Sequence, residues 1–200
     1  MAFRGRVLSG SATAAAGRDD RAVKRVSVVG NSGAGKTALS ARLAAALGVH
    51  HVELDAIFHQ PGWTELARDE FRRRVAHELH SDDGWVVDGN YGVVRDLVWA
   101  AADTVVWLDI PRATVMRRLV WRTLRRAVTR EELWNGNREP VGGMFRLDPR
   151  HNIVRWSWTH HAECTSRYAA ASQDPDNSHL TFVRLASAAD VDQLAASTWR

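Results

Sequence analysis

One cysteine, Cys164, is all that the 200-residue chain carries, which excludes an intramolecular disulfide framework and fits a reducing cytoplasm. Nothing in its sequence surroundings marks that thiol as a nucleophile, so it reads as a partly buried, inert side chain. No apolar run approaches the roughly 20 residues of a membrane-spanning helix, and a soluble protein with no membrane partner is expected. Lysine is almost missing: of 27 Lys and Arg residues only Lys24 and Lys36 are lysine. With none after Lys36, the N-K-x-D motif that reads a guanine base cannot exist, and a GTPase-like switch is excluded. Asp88 is followed by Gly89 and Asp109 by Ile110. Neither acid therefore has the adjacent Glu that activates water in many motor-type ATPases, and steady hydrolysis is not expected. The nine histidines show no compact metal-ligand spacing; His50-His51 and His160-His161 are adjacent pairs whose side chains diverge.

What is present is concentrated at one place. Gly30-Asn31-Ser32-Gly33-Ala34-Gly35-Lys36-Thr37 fits G-x-x-x-x-G-K-[ST] between a strand-like run, Arg25 to Val29, and a helix-like run, Ala38 to Leu47. The glycines let backbone N–H groups curl around the α- and β-phosphates of ATP. Lys36 can reach the β- and γ-phosphates, and the Thr37 hydroxyl can hold Mg²⁺. Placing one of only two lysines here supplies a compact point charge where the phosphates need one.

At 45% hydrophobic and 25% charged, the chain suits one well-cored domain. Residues 1–24, with Arg4, Arg6, Arg18 and a small-residue stretch, read as a disordered tail, and residues 25–200 as the domain. Strands are expected at Arg25 to Val29, Val52 to Asp55, Trp85 to Asp88, Thr104 to Asp109 and Leu180 to Leu185. Helices are expected from Thr64, as cap, to His80, from Val93 to Ala101, from Arg112 to Val128, from His151 to Ala170 and from Ala188 to Ala196. The polar, Gly-containing stretch from about 129 to 152 is the natural lid. Strands alternating with helices imply an α/β fold with a parallel sheet covered on both faces.

Ligands of such sheets gather at the carboxyl ends of the strands. Asp55 ends the second strand, where it can take a proton from an attacking hydroxyl or position an acceptor. Asp88 ends the third, the usual place for an acid that holds Mg²⁺ through water. Asn90 and Tyr91 either contact an acceptor or shape the turn, and Trp63, near Asp55, is placed to stack on a base or sugar. Asp109, before Pro111, reads as a turn or capping residue. Arg118, Arg122 and Arg126 recur at i, i+4 and i+8, so their guanidiniums can converge on a transferring phosphate. The net charge of +4 lies largely in this stretch, which suits a polyanionic small ligand as well as nucleic acid.

The series V-V-G-N-S-G-A-G-K-T, H-V-E-L-D-A-I-F-H-Q-P-G-W, G-W-V-V-D-G-N-Y and V-V-W-L-D-I-P, followed by the arginine-rich helix, resembles the FlaR-like topology modulation proteins. These are similar to adenylate kinase and other small nucleoside and metabolite kinases of the phosphate-loop class. The resemblance spans about Arg25 to Arg130 closely and the last strand and helix loosely. It implies a three-layer P-loop NTPase fold with a five-stranded parallel sheet in 2-3-1-4-5 order and an arginine-bearing lid. It also implies ATP and Mg²⁺ bound by Gly30 to Thr37, Asp55 and Asp88 on the acceptor side, and Arg118, Arg122 and Arg126 serving the lid. The expected function is transfer of the ATP γ-phosphoryl group to a nucleotide, nucleoside or small hydroxylated metabolite. The alternative is an ATP-bound regulatory or nucleic-acid-associated protein with little turnover.

Overall fold

A computed structural model describes residues 8–9, 23–138 and 153–196. The β-branched segment Arg25–Gly30 forms a strand, and with Val26, Val28 and Val29 buried it serves both faces of a sheet. In chain order the strands are β1 (Leu8–Ser9), β2 (Arg25–Gly30), β3 (His50–Glu53), β4 (His59–Gln60), β5 (Thr64–Glu65), β6 (Trp85–Asp88), β7 (Thr104–Leu108) and β8 (Thr181–Leu185). The helices are α1 (Lys36–Leu47), α2 (Leu54–Phe58), α3 (Arg68–Glu78), α4 (Arg95–Ala101), α5 (Arg112–Thr129), α6 (Ile153–Ala171) and α7 (Ala188–Ala196).

The main sheet runs β1-β8-β7-β2-β6-β3, and its pairings are all parallel. Without the two-residue edge strand β1, the five longer strands stand in 2-3-1-4-5 order, as the resemblance implied. This is the three-layer α/β P-loop fold. Strand alternation assigns Val29, Val87, Val105 and Trp107 to one core with Phe71, Val75, Val98 and Tyr168 of α3, α4 and α6. Val26, Val28, Val86 and Val106 join Leu39 and Leu43 of α1 and Val115 of α5 in the other. In β2 the first core's face also carries the buried Ser27 beside Val29.

Three expectations change. Asp55 is not on a strand: β3 ends at Glu53, and Asp55 is the second residue of the short helix α2. Thr64 caps nothing, because Pro61-Gly62 turns the chain into an antiparallel hairpin pairing Gln60 with Thr64, and α3 starts only at Arg68. In the segment expected to be a disordered tail, Leu8 and Ser9 pair with Val183 and Arg184 of β8, while residues 1–7 and 10–22 lie outside the described ones. The expected lid is described only to Arg138; residues 139–152 fall outside.

Gly30 leaves β2 at φ +147°, and a Cβ there would stand 2.7 Å from the Leu108 carbonyl oxygen. Backbone against backbone cannot yield cheaply, so Gly30→Ala is expected to lower stability by about 2 kcal/mol or more. A shift of the urea midpoint at unchanged m-value measures it.

Candidate active site

The loop between β2 and α1 is built by three positive φ angles, at Gly30, Gly33 and Gly35, with Gly35 capping α1 in the left-handed region. A Cβ at Gly33 would lie 3.0 Å from both the Leu119 Cβ and the Val115 carbonyl oxygen, so α5 presses on the loop from below. Lys36, the first residue of α1, folds back and donates to the carbonyls of Gly30 at 3.1 Å and Asn31 at 3.3 Å. Burial pushes its ammonium below the ordinary lysine pKa, and the charges of Asp55 and then Asp88 oppose that shift. Thr37 is exposed in the first helical turn.

Asn31 and Ser32 do not depend on the loop alone. Asn31 is buried; its Nδ2 donates to the Ser157 carbonyl at 2.9 Å, and its Oδ1 accepts the Ser32 N–H. Ser157, wholly buried in α6, donates from Oγ to the Ser32 carbonyl at 3.0 Å. At the other end, Asn90 accepts from the Gly30 N–H at 3.2 Å, donates to the Gly30 carbonyl, and accepts from the Tyr168 hydroxyl at 3.0 Å. The Asn90 amide thus pins the loop, and α6 holds it at both ends through Ser157 and Tyr168. The sequence leaves Asn90 between contacting an acceptor and shaping the turn, and it gives no sign of Ser157 or Tyr168. Ser157→Ala is expected to cost about 1 to 2 kcal/mol, from one lost buried hydrogen bond and one unsatisfied carbonyl. A rise in the ATP dissociation constant should accompany it, read by titration calorimetry.

In α2, the Asp55 carboxylate accepts from the Tyr91 hydroxyl at 2.6 Å, and the same hydroxyl lies 3.4 Å from His59 Nε2. Burial, with Asp55 beside it, pushes the Tyr91 pKa far up, so the phenol stays a donor throughout the physiological range. Tyr91 therefore orients Asp55. Trp63 is held at φ +58°, its backbone N–H bonded to Asn137 Oδ1 at 2.8 Å and its indole N–H to the Arg138 carbonyl at 3.0 Å. Residues 134–138 bind this hairpin closely: Trp134 donates to Glu53 at 2.8 Å, Asn135 to the Ala56 and His59 carbonyls, and Asn137 to the Gln60 carbonyl. His59 stacks on Trp134 with centroids 6.3 Å apart. The Trp63 indole N–H is thus engaged by protein backbone.

Asp88 is buried, and its Oδ2 lies 3.0 Å from His51 Nε2. Asp109 accepts from Thr165 and pairs with Arg184, which makes it structural. The three arginines of α5 have different contacts along the helix. Arg118 donates to the Ala34 carbonyl at 3.2 Å, on the loop itself. Arg122 stands close enough for its charge to lower the Lys36 pKa. Arg126 turns to Glu131, Nε to Oε1 3.7 Å, two helical turns along. Arg118 and Arg122, with Lys36, Asp55 and Asp88, are the charges the fold brings together.

The loop fits a nucleotide polyphosphate: left-handed glycines, an ammonium that donates to two carbonyls phosphate oxygens can replace, and a helix N-terminus behind it. One exposed hydroxyl, Thr37, and one carboxylate, Asp88, suit a Mg²⁺ ion that takes its other ligands from phosphate and water. Among the described residues no helix is long and apolar enough to cross a membrane.

No family model and no curated protein matches the chain, and the resemblance to FlaR-like proteins is not confirmed. Among solved structures the chain is similar to a gluconokinase from Sinorhizobium meliloti 1021, with 17% identity over 88% of this chain and 95% of that one, at a TM-score of 0.48. It is similar to a shikimate kinase from Acinetobacter baumannii in complex with shikimate, with 18% identity over 86% and 89% and a TM-score of 0.48. A shikimate kinase from Bacteroides thetaiotaomicron gives 15% over 87% and 95%, with a TM-score of 0.49. What fixes the class of the site is the architecture itself, a phosphate loop leaving the central strand of a parallel sheet in 2-3-1-4-5 order.

Proposed function

We propose that the chain is an ATP-dependent phosphotransferase acting on a small hydroxylated acceptor, a nucleotide, nucleoside or metabolite. The observation that carries this reading is the Asp55 carboxylate held at 2.6 Å by Tyr91 and charged against buried Lys36, with Arg118 on the Ala34 carbonyl of the same loop. A carboxylate placed like Asp88 would serve Mg²⁺ in any ATP-binding loop, so Asp55 is the carboxylate that points beyond binding to transfer. Asp55, oriented by Tyr91, takes the proton of the acceptor hydroxyl as its oxygen bonds to the γ-phosphorus. The bond from that phosphorus to the β,γ-bridging oxygen breaks, and ADP leaves. Lys36, Arg118 and Arg122 stabilise the charge spread over the transferring group. Thr37 and, through water, Asp88 would hold Mg²⁺, which would supply positive charge to the phosphate oxygens.

The test is an acceptor screen with ATP and Mg²⁺ over nucleoside monophosphates, nucleosides and sugar-like alcohols. ADP formation that requires an acceptor supports the reading. ATP binding with no ADP release for any acceptor class overturns it.

A second reading, an ATP-bound regulator associated with nucleic acid, is favoured by the outer face of α5. There Trp121 and Val128 are exposed beside Arg117 and Arg125. DNA affinity that falls steeply with salt and survives Lys36→Ala would favour it.

A further inference from the structure

Asp88 is a carboxylate almost out of reach of water, its side chain 3% exposed. A buried carboxylate must find a donor or lose its charge. The donor is His51, whose Nε2 stands 3.0 Å from Oδ2 and whose side chain is only 18% exposed. The bond is diagonal across two paired strands: His51 is in register with Val86, and Glu53 with Asp88. Residues 51 and 53 point to the same face of β3, as 86 and 88 do on β6. Main-chain pairing therefore fixes the imidazole, and the imidazole fixes the carboxylate. Since a carboxylate only accepts, Nε2 carries the hydrogen. The neighbouring His50 points elsewhere, to Glu78 at 3.9 Å.

Resting on the phosphotransferase reading above, we propose that His51 is a positioning residue for Mg²⁺: it holds one Asp88 oxygen so that the other is aimed at the water shell of the ion beside Lys36. Residues behind a metal-binding carboxylate act in this way, and their loss typically weakens metal affinity or activity about 10- to 100-fold. His51 touches neither nucleotide nor acceptor in this arrangement. Its influence is confined to what Asp88 does.

The experiment compares the affinity of a non-hydrolysable ATP analogue with and without Mg²⁺ in the full chain, for the unmodified protein, His51→Ala and His51→Gln. Glutamine retains an N–H donor and keeps Asp88 from being buried unpaired. Without Mg²⁺ all three should bind within about twofold of one another. The gain in affinity on adding Mg²⁺ should shrink about tenfold in His51→Ala and return in large part in His51→Gln. A full Mg²⁺ gain in His51→Ala overturns the proposal. So does an equal loss with and without the ion, which is what a purely structural histidine produces. A missing Mg²⁺ gain in the unmodified protein also overturns it. Failure of the phosphotransferase reading shows separately, as Mg²⁺-dependent nucleotide binding without transfer to any acceptor.

Discussion

Lys36→Ala is expected to lower acceptor-dependent ADP formation by on the order of 10³-fold or more, the range seen when a preorganised charge at a developing oxyanion is removed. The ammonium is the one cation at the start of α1, and Asp55 and Asp88 both act on it. Removing it leaves two carboxylates facing the incoming phosphates with only α5 to offset them. Folding should suffer little. The variant gives up two hydrogen bonds to loop carbonyls but also relieves a desolvated charge, and those terms oppose one another. The thermal midpoint without ligand should thus stay close to the original, while the rise on adding ATP and Mg²⁺ disappears. Turnover within threefold of the original would show that the loop is not the donor site.

Asp55→Asn separates chemistry from binding. Asparagine keeps the shape and still accepts the Tyr91 hydroxyl, which now stands at 2.6 Å, so the local packing is retained. It cannot take a proton. The expected result is a fall in kcat of about 10²- to 10⁴-fold, the usual contribution of a positioned general base. The dissociation constant for ATP should hold or tighten slightly, since a negative charge near the γ-phosphate is gone. A tenfold rise in KM for the acceptor with kcat unchanged would instead make Asp55 a binding residue.

Much of this was legible along the chain because the loop motif is local. Eight consecutive residues set the phosphate cradle, and the apolar runs beside Asp88 and Asp109 marked their strands through composition alone. The parallel order followed from resemblance once those strands were placed. What escaped reading depends on long separations. Asn31 and Ser157 are 126 positions apart, and Tyr168 and Asn90 are 78 apart. A buried serine in a helix of mixed periodicity has no local signature that names its partner. The strand expected from Val52 to Asp55 ends at Glu53, because the chain turns into α2 there with no Gly or Pro to mark the change. The bond from the Trp63 indole N–H to the Arg138 carbonyl, 75 positions along, has no local signature either. Likewise the i, i+4, i+8 spacing sets Arg118, Arg122 and Arg126 along one face of α5 without naming the Ala34 carbonyl or Glu131 as partners.

The fastening of the phosphate loop to α6 also sets an order of events during synthesis. β2 is the first long strand to leave the ribosome, yet its neighbours in the sheet, β6 and β7, come some sixty to eighty positions later. The residues that secure its loop come later still, at Ser157 and Tyr168. Contacts this distant are slow to form because the intervening chain must first be ordered. A nascent chain that ends before α6 has every motif residue of the donor site and none of the α6 contacts that hold the loop. A held phosphate loop is thus acquired late by the polypeptide, although its sequence signature is among the first to be translated.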